Sequence, residues 1–445
     1  MKIKHLLVFA LFISCNKEVV YEPAPITPVA VVKTTNDTTT NISIFNYGLS
    51  NSANESANGT VYYDNNIIIS PGTQEYMSPI HLIKKNNKWG LESASYGKII
   101  DRPRNVYKVS DGTFVWANAG TESETNPTGN LYVSKTNPDN TLTWKKLSDT
   151  SKGEFYHFAA SGDVNGDGSP DIMSFVGVET ESPELFKFFS GPNHTDMKVK
   201  FPNDKEFEAA LGFTSADRQK VGAGFSFGSF TVANLDSDPK CELILTSTKV
   251  LMNEYYSFII LKYYSATNEF KIHKIIPPGG AMKSDKMAVA DVKIGDFNGD
   301  KINDVVVSLG DYNDNSGIEI WRNDGNGNLV PYNKELYGKS HDKKIFYSNF
   351  EVGKFHGTDC IFLHFEGARY SRRPQSDLDL NPFFLISTGE NMGFAHPKIN
   401  LPILKQAPGY VKGYFEKQNG VDALRLIGVR GVSNNEFELI DLTIR

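Results

Sequence analysis

Three nine-residue stretches carry the side chains best suited to chemistry. They are Asp163-Val-Asn165-Gly-Asp167-Gly-Ser169-Pro-Asp171, Asp296-Phe-Asn298-Gly-Asp300-Lys-Ile302-Asn-Asp304 and, more loosely, Asn234-Leu-Asp236-Ser-Asp238-Pro-Lys240-Cys-Glu242. Each places oxygen-bearing side chains at positions 1, 3, 5 and 9, as three carboxylates and one amide. Three carboxylates this close repel one another unless a cation lies among them. Oxygen-only donors in a short loop suit a hard ion that accepts about six to eight oxygens, which is Ca²⁺. The backbone carbonyls of Ser169, Lys240 and Ile302 at position 7, together with water, would complete the shells. The sequence therefore predicts calcium at 163–171 and 296–304, with a third site possible at 234–242.

An EF-hand begins the same way but needs a Glu at position 12 and flanking helices. Position 12 is Ser174, Leu245 and Val307 in the three stretches. The residues that follow each loop are short apolar runs rich in strand formers, such as Val305-Val-Val-Ser-Leu309. The loops must therefore join strands. An Asp/Asn/Gly turn without metal is the plain alternative.

Other candidate chemistry has less support. Gly224-Phe-Ser226-Phe-Gly228 matches a nucleophile-elbow pattern, but it runs on into strand formers rather than a helix. Asp377 and Asp379 sit in a polar loop and read as solvated, and His157 reads as a strand residue. No His pair has catalytic-zinc spacing. The chain is therefore expected not to be an enzyme.

The formal net charge is −6, and no Lys/Arg cluster interleaves with aromatics, which argues against nucleic acid as a partner. Charged residues at 22% and aromatics at 12% describe a globular chain rather than a disordered one. Beyond Cys15, the only cysteines are Cys241 and Cys360, far apart in strand-like runs, and they are expected to be free thiols.

The elements that position the loops recur along the chain. Anchor loops or faded versions of them start near 109, 163, 234, 296, 354 and 414, at spacings of 54 to 71 residues. Among the faded versions, Lys354 stands where the first carboxylate belongs and could supply positive charge itself. Hairpins follow, with turns at Lys85-Asn86-Asn87, Asn137-Pro-Asp-Asn140, Ala266-Thr-Asn268, Asn323 to Asn328 and Thr388 to Asn391. Residues 58–95 form one further unit without an acidic loop. Repeated four-strand units of this kind predict an all-β β-propeller. The expectation is seven blades of four antiparallel strands, with Asn41–Tyr47 and the C-terminal strands paired in one blade to close the ring.

Gly162-Asp-Val-Asn-Gly-Asp-Gly-Ser-Pro-Asp-Ile172 resembles the FG-GAP/VCBS repeat of integrin α-subunit propellers and many bacterial surface proteins. Phe155 to Gly162 and Trp321-Arg-Asn-Asp-Gly-Asn-Gly-Asn328 are similar to it as well. The resemblance covers about residues 60–445. It implies a calcium-braced propeller that serves as a binding or adhesion scaffold, although such propellers also occur within polysaccharide-degrading enzymes.

The N-terminus reads as a targeting segment. Lys2 and Lys4 precede the apolar run Leu6 to Ile13 and then Ser14-Cys15, too short to span a bilayer. This resembles a bacterial lipoprotein signal, which implies a lipid on Cys15 and an outer-membrane location at the cell surface or the periplasmic face. The expected organisation is a signal peptide over 1–15, a flexible Pro/Thr/Asn-rich tether over 16–40 and the propeller over 41–445. The expected function is a non-catalytic scaffold for a glycan or protein ligand, touching the membrane only through its lipid. The alternatives are a polysaccharide lyase or hydrolase and a structural subunit of an outer-membrane assembly.

Overall fold

The computed structural model describes residues 38–46, 57–71, 80–92, 103–118, 129–147, 156–176, 186–212, 227–247, 256–284, 287–310, 316–333, 336–340, 350–355, 358–363, 384–387, 410–418, 420–433 and 436–444. Cys15, Asp377, Asp379 and the turn at 388–391 lie outside them.

The first described element is strand β1 (Thr38–Asn46). Six sheets then follow in chain order. The first is β2 (Ala57–Tyr63), β3 (Asn66–Pro71), β4 (Ile80–Lys85) and β5 (Lys88–Leu91). The second is β6 (Pro103–Ser110), β7 (Thr113–Asn118), β8 (Asn130–Thr136) and β9 (Leu142–Lys146). The third is β10 (Tyr156–Gly162), β11 (Asp171–Val176), β12 (Phe186–Ser190) and β13 (Thr195–Met197), followed by helix α1 (Asp204–Leu211). The fourth is β14 (Phe227–Ala233), β15 (Glu242–Ser247), β16 (Phe258–Tyr264) and β17 (Glu269–Ile276), followed by helix α2 (Gly280–Ser284). The fifth is β18 (Ala288–Gly295), β19 (Asp304–Gly310), β20 (Ser316–Asn323) and β21 (Leu329–Pro331), with β22 (Tyr337–Ser340) also paired to β20. The sixth has three strands, β23 (Phe350–Phe355), β24 (Thr358–Leu363) and β25 (Phe384–Ser387). The chain ends in β26 (Tyr410–Gln418), β27 (Val421–Ser433) and β28 (Glu436–Ile444).

Each sheet is an antiparallel meander, and its first strand lies innermost. Neighbouring inner strands touch in the order β2, β6, β10, β14, β18, β23, β26 and back to β2. The final sheet runs β26-β27-β28-β1 from inside outward. The N-terminal strand is thus the outer edge of the blade built by the C-terminus, with a register from Thr38↔Ile444 to Asn46↔Glu436. Joining the two ends in one blade pairs the strand edges that an open ring would leave exposed.

Three expectations need correction. There are six four-stranded blades rather than seven, because the sheet β23-β24-β25 has three described strands; the expected partner strand near Phe394 lies outside the described residues. The described part of strand β1 includes Thr38 to Thr40, which pair with β28 although they lie in the segment assigned to the tether. Helix α1 was not expected. Asn203 caps it by accepting from the N–H groups of Lys205 and Glu206, Glu206 reaches back to the Asn203 N–H, and Gly212 ends it.

The hairpins follow the turn chemistry. Asn86 and Asn87 both have positive φ, 52° and 60°, as a two-residue turn between β4 and β5 requires. Blades are covered on both faces, so interior strands carry continuous apolar runs; β19, Asp304 to Gly310, is buried throughout. An interblade core joins the third and fourth sheets through Phe186, Phe188, Phe230, Tyr256 and Phe270. Phe201 stacks on Phe270 with ring centroids 4.6 Å apart.

Glycine precedes the first and third anchor loops and the faded one at 354, and at 162 and 353 it is a packing requirement, whereas Ala233 precedes the second loop. A Cβ on Gly162 would lie 2.5 Å from Val232 Cγ1 of the next blade, and one on Gly353 would lie 2.5 Å from Cβ, Cγ and Cδ2 of Phe415. Gly162→Ala should therefore destabilise the protein by about 1–3 kcal/mol. Adding Val232→Ala should return part of that loss, which a double-mutant cycle from urea melts will show.

Candidate functional site

The three predicted loops fall between the first and second strands of three consecutive blades. They join β10 to β11, β14 to β15 and β18 to β19. Their scaffolds match position by position. The position-2 N–H donates to the position-9 carboxylate: Val164 to Asp171 at 2.9 Å, Leu235 to Glu242 at 2.8 Å and Phe297 to Asp304 at 3.2 Å. The position-5 N–H donates to the position-3 side chain: Asp167 to Asn165 at 2.8 Å, Asp238 to Asp236 at 3.0 Å and Asp300 to Asn298 at 2.9 Å. The N–H groups of Ser169, Lys240 and Ile302 donate to Asp167, Asp238 and Asp300, each at 2.8 Å. Position 2 is an apolar plug, since Val164, Leu235 and Phe297 are all buried. The looser second loop is therefore built on the same plan as the other two.

Neighbouring loops are also joined. The Cys241 N–H donates to the Asp163 carbonyl at 2.8 Å. The Asn303 side chain donates to the Asn234 carbonyl at 2.9 Å. In both cases position 8 of one loop holds position 1 of the loop before it.

The loops differ in electrostatics. In the first, Asp163 accepts from the N–H groups of Gly166, Asp167 and Gly168. In the third, Asp296 accepts from those of Gly299 and Lys301. Asp171 and Asp304 are buried, and each also accepts one N–H from the third strand of its own sheet or the residue after it, Gly191 or Asn323, at 2.9 Å. Burial raises the Asp171 carboxyl above its ordinary value and pushes Asp304 up to about 6, against the pull of these donors.

In the second loop, Asp236, Asp238 and Glu242 have carboxylate oxygens within 4.8 Å of one another, the one such group of three among the described residues. The Lys262 ammonium, carried on β16, lies between them. It is paired with Asp236, is 2.8 Å from Asp238 and is 3.2 Å from Glu242. Burial opposes the charge on Lys262, but its hydrogen bonds to the three carboxylates raise its pKa above the ordinary lysine value. The sequence reading missed Lys262 because it lies 20 residues beyond the loop, on a strand with no motif of its own.

The remaining sheets have tight turns at this level. Three of them carry a Lys–Asp pair: Lys108–Asp111 at 2.6 Å, Lys354–Asp359 at 2.9 Å and Lys417–Asp422 at 3.6 Å. Lys354 thus supplies the charge that its loop position suggested. Among the other candidates, Gly228 lies in strand β14 and His157 in strand β10. Cys241 and Cys360 are free thiols, and burial pushes the Cys241 pKa up to about 11. Among the described residues no helix is long and apolar enough to cross a membrane.

All seven inner strands line a central well of about 740 Å³. The consecutive strands β26, β2 and β6 contribute Tyr414, Tyr62 and Tyr107. The strands β10, β14, β18 and β23 contribute Ser161, Thr231, Asp291, Lys293 and Glu351. Lys293 lies 3.6 Å from both Asp291 and Glu351. The signal in the sequence was alternating charge within a strand, Asp291-Val-Lys293-Ile294, where the other alternate residues are apolar.

Fold and inner strands together define a β-propeller with four-stranded antiparallel blades around a central well of mixed polar and apolar lining. No family profile matches the chain, and no curated protein matches its sequence. Solved structures similar to it include the Dos1 propeller, at 8% identity and a TM-score of 0.44, over 89% of this chain and 93% of that one. A triple arginine-to-alanine mutant of AofleA from Arthrobotrys oligospora is similar at 10% identity and a TM-score of 0.41, over 90% of this chain and 93% of that one. The Trypanosoma rangeli sialidase is similar at 11% identity and a TM-score of 0.36, over 90% of this chain and 58% of that one.

Proposed function

We propose that this protein is a non-catalytic binding propeller of the bacterial cell envelope, held by a lipid on Cys15, with the central well as its ligand site. The observation that carries this reading is the mixed lining of the well. Three adjacent strands offer the rings of Tyr414, Tyr62 and Tyr107 together with Glu416, Lys417 and Lys108, and the other strands offer hydroxyls, carboxylates and ammonium groups. A sugar presents both characters, apolar on its C–H face and hydrogen-bonding at its hydroxyls. The volume falls within the range of about 300–1,000 Å³ usual for small-ligand sites. A glycan end is therefore the ligand class the lining fits best. Within this reading, β23-β24-β25 is a seventh blade and the loops are of FG-GAP/VCBS type.

The test is titration with neutral and acidic oligosaccharides, followed by tyrosine and tryptophan fluorescence. Saturable binding without new reducing ends is expected, and Tyr107→Ala should weaken it at least about tenfold, the loss of about 1.4 kcal/mol. Asp291 and Glu351 in the same well are the observation behind the enzyme alternative, which needs a pair of carboxylates. New reducing ends or unsaturated products would select it. Failure of every glycan to bind would overturn the ligand class and leave a protein partner.

Calcium is assigned by the same reading to the first and third loops. The donors are Asp163, Asn165, Asp167, Asp171 and the Ser169 carbonyl, and Asp296, Asn298, Asp300, Asp304 and the Ile302 carbonyl. The donor set is all oxygen, and each loop buries a carboxyl whose ionisation burial opposes. A divalent cation would stabilise those carboxylates and brace the turn. With an affinity typical of extracellular sites, Kd about 10⁻⁴ M, about 1 mM calcium adds up to about 1.4 kcal/mol per loop. Chelator should lower the melting temperature accordingly, and Asp163→Ala with Asp167→Ala should reproduce the share of the first loop. An unchanged melting temperature would remove calcium from the native protein.

A further inference from the structure

One register position in each of the three blades faces the ninth residue of the anchor loop. The paired residues Ile172↔Phe189, Leu243↔Leu261 and Val305↔Trp321 occupy equivalent places on the second and third strands. One step toward the loop, Asp171 faces Ser190, Glu242 faces Lys262 and Asp304 faces Arg322. The three side chains meet their loops differently. Ser190 is neutral and accepts a hydrogen bond from Asn165 at 2.9 Å. Arg322 is half-exposed and reaches only the outer carboxylate, Asp300, at 3.7 Å. Lys262 alone has its cation among all three carboxylates, with Glu242 fully buried against it.

We infer that this third-strand position decides which cation an anchor loop uses, and that Lys262 is the resident cation of the second loop, closing a divalent-cation site formed by Asp236, Asp238 and Glu242. The sequence assignment of Asn234, Asp236, Asp238, Lys240 and Glu242 as calcium ligands in the parent protein is replaced accordingly. An ammonium on a strand costs no ion from solution and is not removed by chelator, so the fourth sheet keeps its brace when calcium is scarce. The route for an ion is present once the lysine is gone. Asp238 and Lys262 line a cleft of about 420 Å³ with Tyr264 and His273.

The experiment counts Ca²⁺ bound per full chain by equilibrium dialysis. In the parent, Asp236→Asn should leave the count unchanged, because the second loop holds no ion. Lys262→Ser should raise the count by one, and adding Asp236→Asn should return it to the parental value. Ser190→Lys should lower the count by one by closing the first loop in the same manner. This last arm rests on the calcium assignment of the first loop; the Lys262 arms do not, since a parent that binds no calcium would still move from zero to one. A parental count that falls with Asp236→Asn, or a Lys262→Ser protein that gains no ion, overturns the inference. If Lys262→Ser does not fold, the parental Asp236→Asn count still decides.

Discussion

An Asp441→Ala protein should be about 3–5 kcal/mol less stable than its parent, the largest single-site loss expected in this fold. Asp441 is buried on β28, in the blade that joins the two chain ends. One oxygen accepts from Arg425 Nε on β27 at 2.8 Å. The other accepts from Lys84 at 3.0 Å and from the Trp89 indole at 2.8 Å, both on the first sheet. Arg425 in turn donates to the Tyr62 hydroxyl on β2 and lies 4.4 Å over its ring. Removing the carboxylate leaves a buried guanidinium with only Glu416, at 3.4 Å, and a near-buried ammonium without the Asp441 counter-charge, at the seam between the last blade and the first. Burial and the neighbouring Glu416 raise the Tyr62 phenol to about 12 even though Arg425 acts to lower it, so the hydroxyl stays neutral and cannot replace the lost charge. Removing both sides, as Arg425→Met with Asp441→Leu, should cost less than Asp441→Ala alone, because no unpaired guanidinium remains. Urea midpoints for the three variants measure this. A loss below about 1 kcal/mol for Asp441→Ala would mean that water reaches the seam and the network is not a latch.

The fold was legible where local chemistry is strict. Asn86-Asn87 permits a two-residue turn, Val305 to Leu309 permits only a strand covered on both faces, and the Gly-Asp openings at 162 and 295 mark where inner strands end. The repeat spacing then made a propeller the economical way to cover so many short strands. The blade count was less legible, since the segment after Ser387 has neither an acidic loop nor a clean alternation to fix its strands. The strand character of residues 38–40 was hard to read for a related reason. Thr38 to Thr40 are polar, and only their pairing with Thr443, Leu442 and Ile444 makes them strand.

The candidate site divides in the same way. The loop residues could be read in order because a nine-residue turn brings its own donors together. Lys262, Ser190 and Arg322 could not, because their relation to the loops exists only through strand register. The clue was available only in comparison: aligned on the apolar pair Phe188-Phe189, Ile260-Leu261 and Ile320-Trp321, the next residue changes from Ser to Lys to Arg. The well was illegible as a site because each inner strand contributes three or four residues from seven distant parts of the chain.

Stability should also fall in mild acid through His81. This residue is buried on β4, and its Nε2 donates to the Asn66 side-chain oxygen at 2.8 Å, with Asn66 in turn donating to the Asp64 carbonyl. Burial lowers its pKa from 6.5 to about 4, so the folded state keeps the ring neutral. The sign follows from which state binds the proton. Above about pH 6.5 neither state is protonated and the contribution is whole. Between 6.5 and about 4 the unfolded chain takes up a proton that the folded chain refuses, so stability falls as pH falls. The loss reaches about 2 kcal/mol at about pH 5 and levels off near 3 kcal/mol below about pH 4. His81→Gln keeps a side-chain N–H for Asn66 and cannot titrate. Whatever it costs at pH 7, its stability should decline between pH 7 and pH 5 by about 2 kcal/mol less than the parent's. Denaturation curves for both proteins at several pH values decide the matter. If the two profiles run parallel, the folded protein accepts the proton at His81 as readily as the unfolded chain, and the acid sensitivity of the first sheet lies elsewhere.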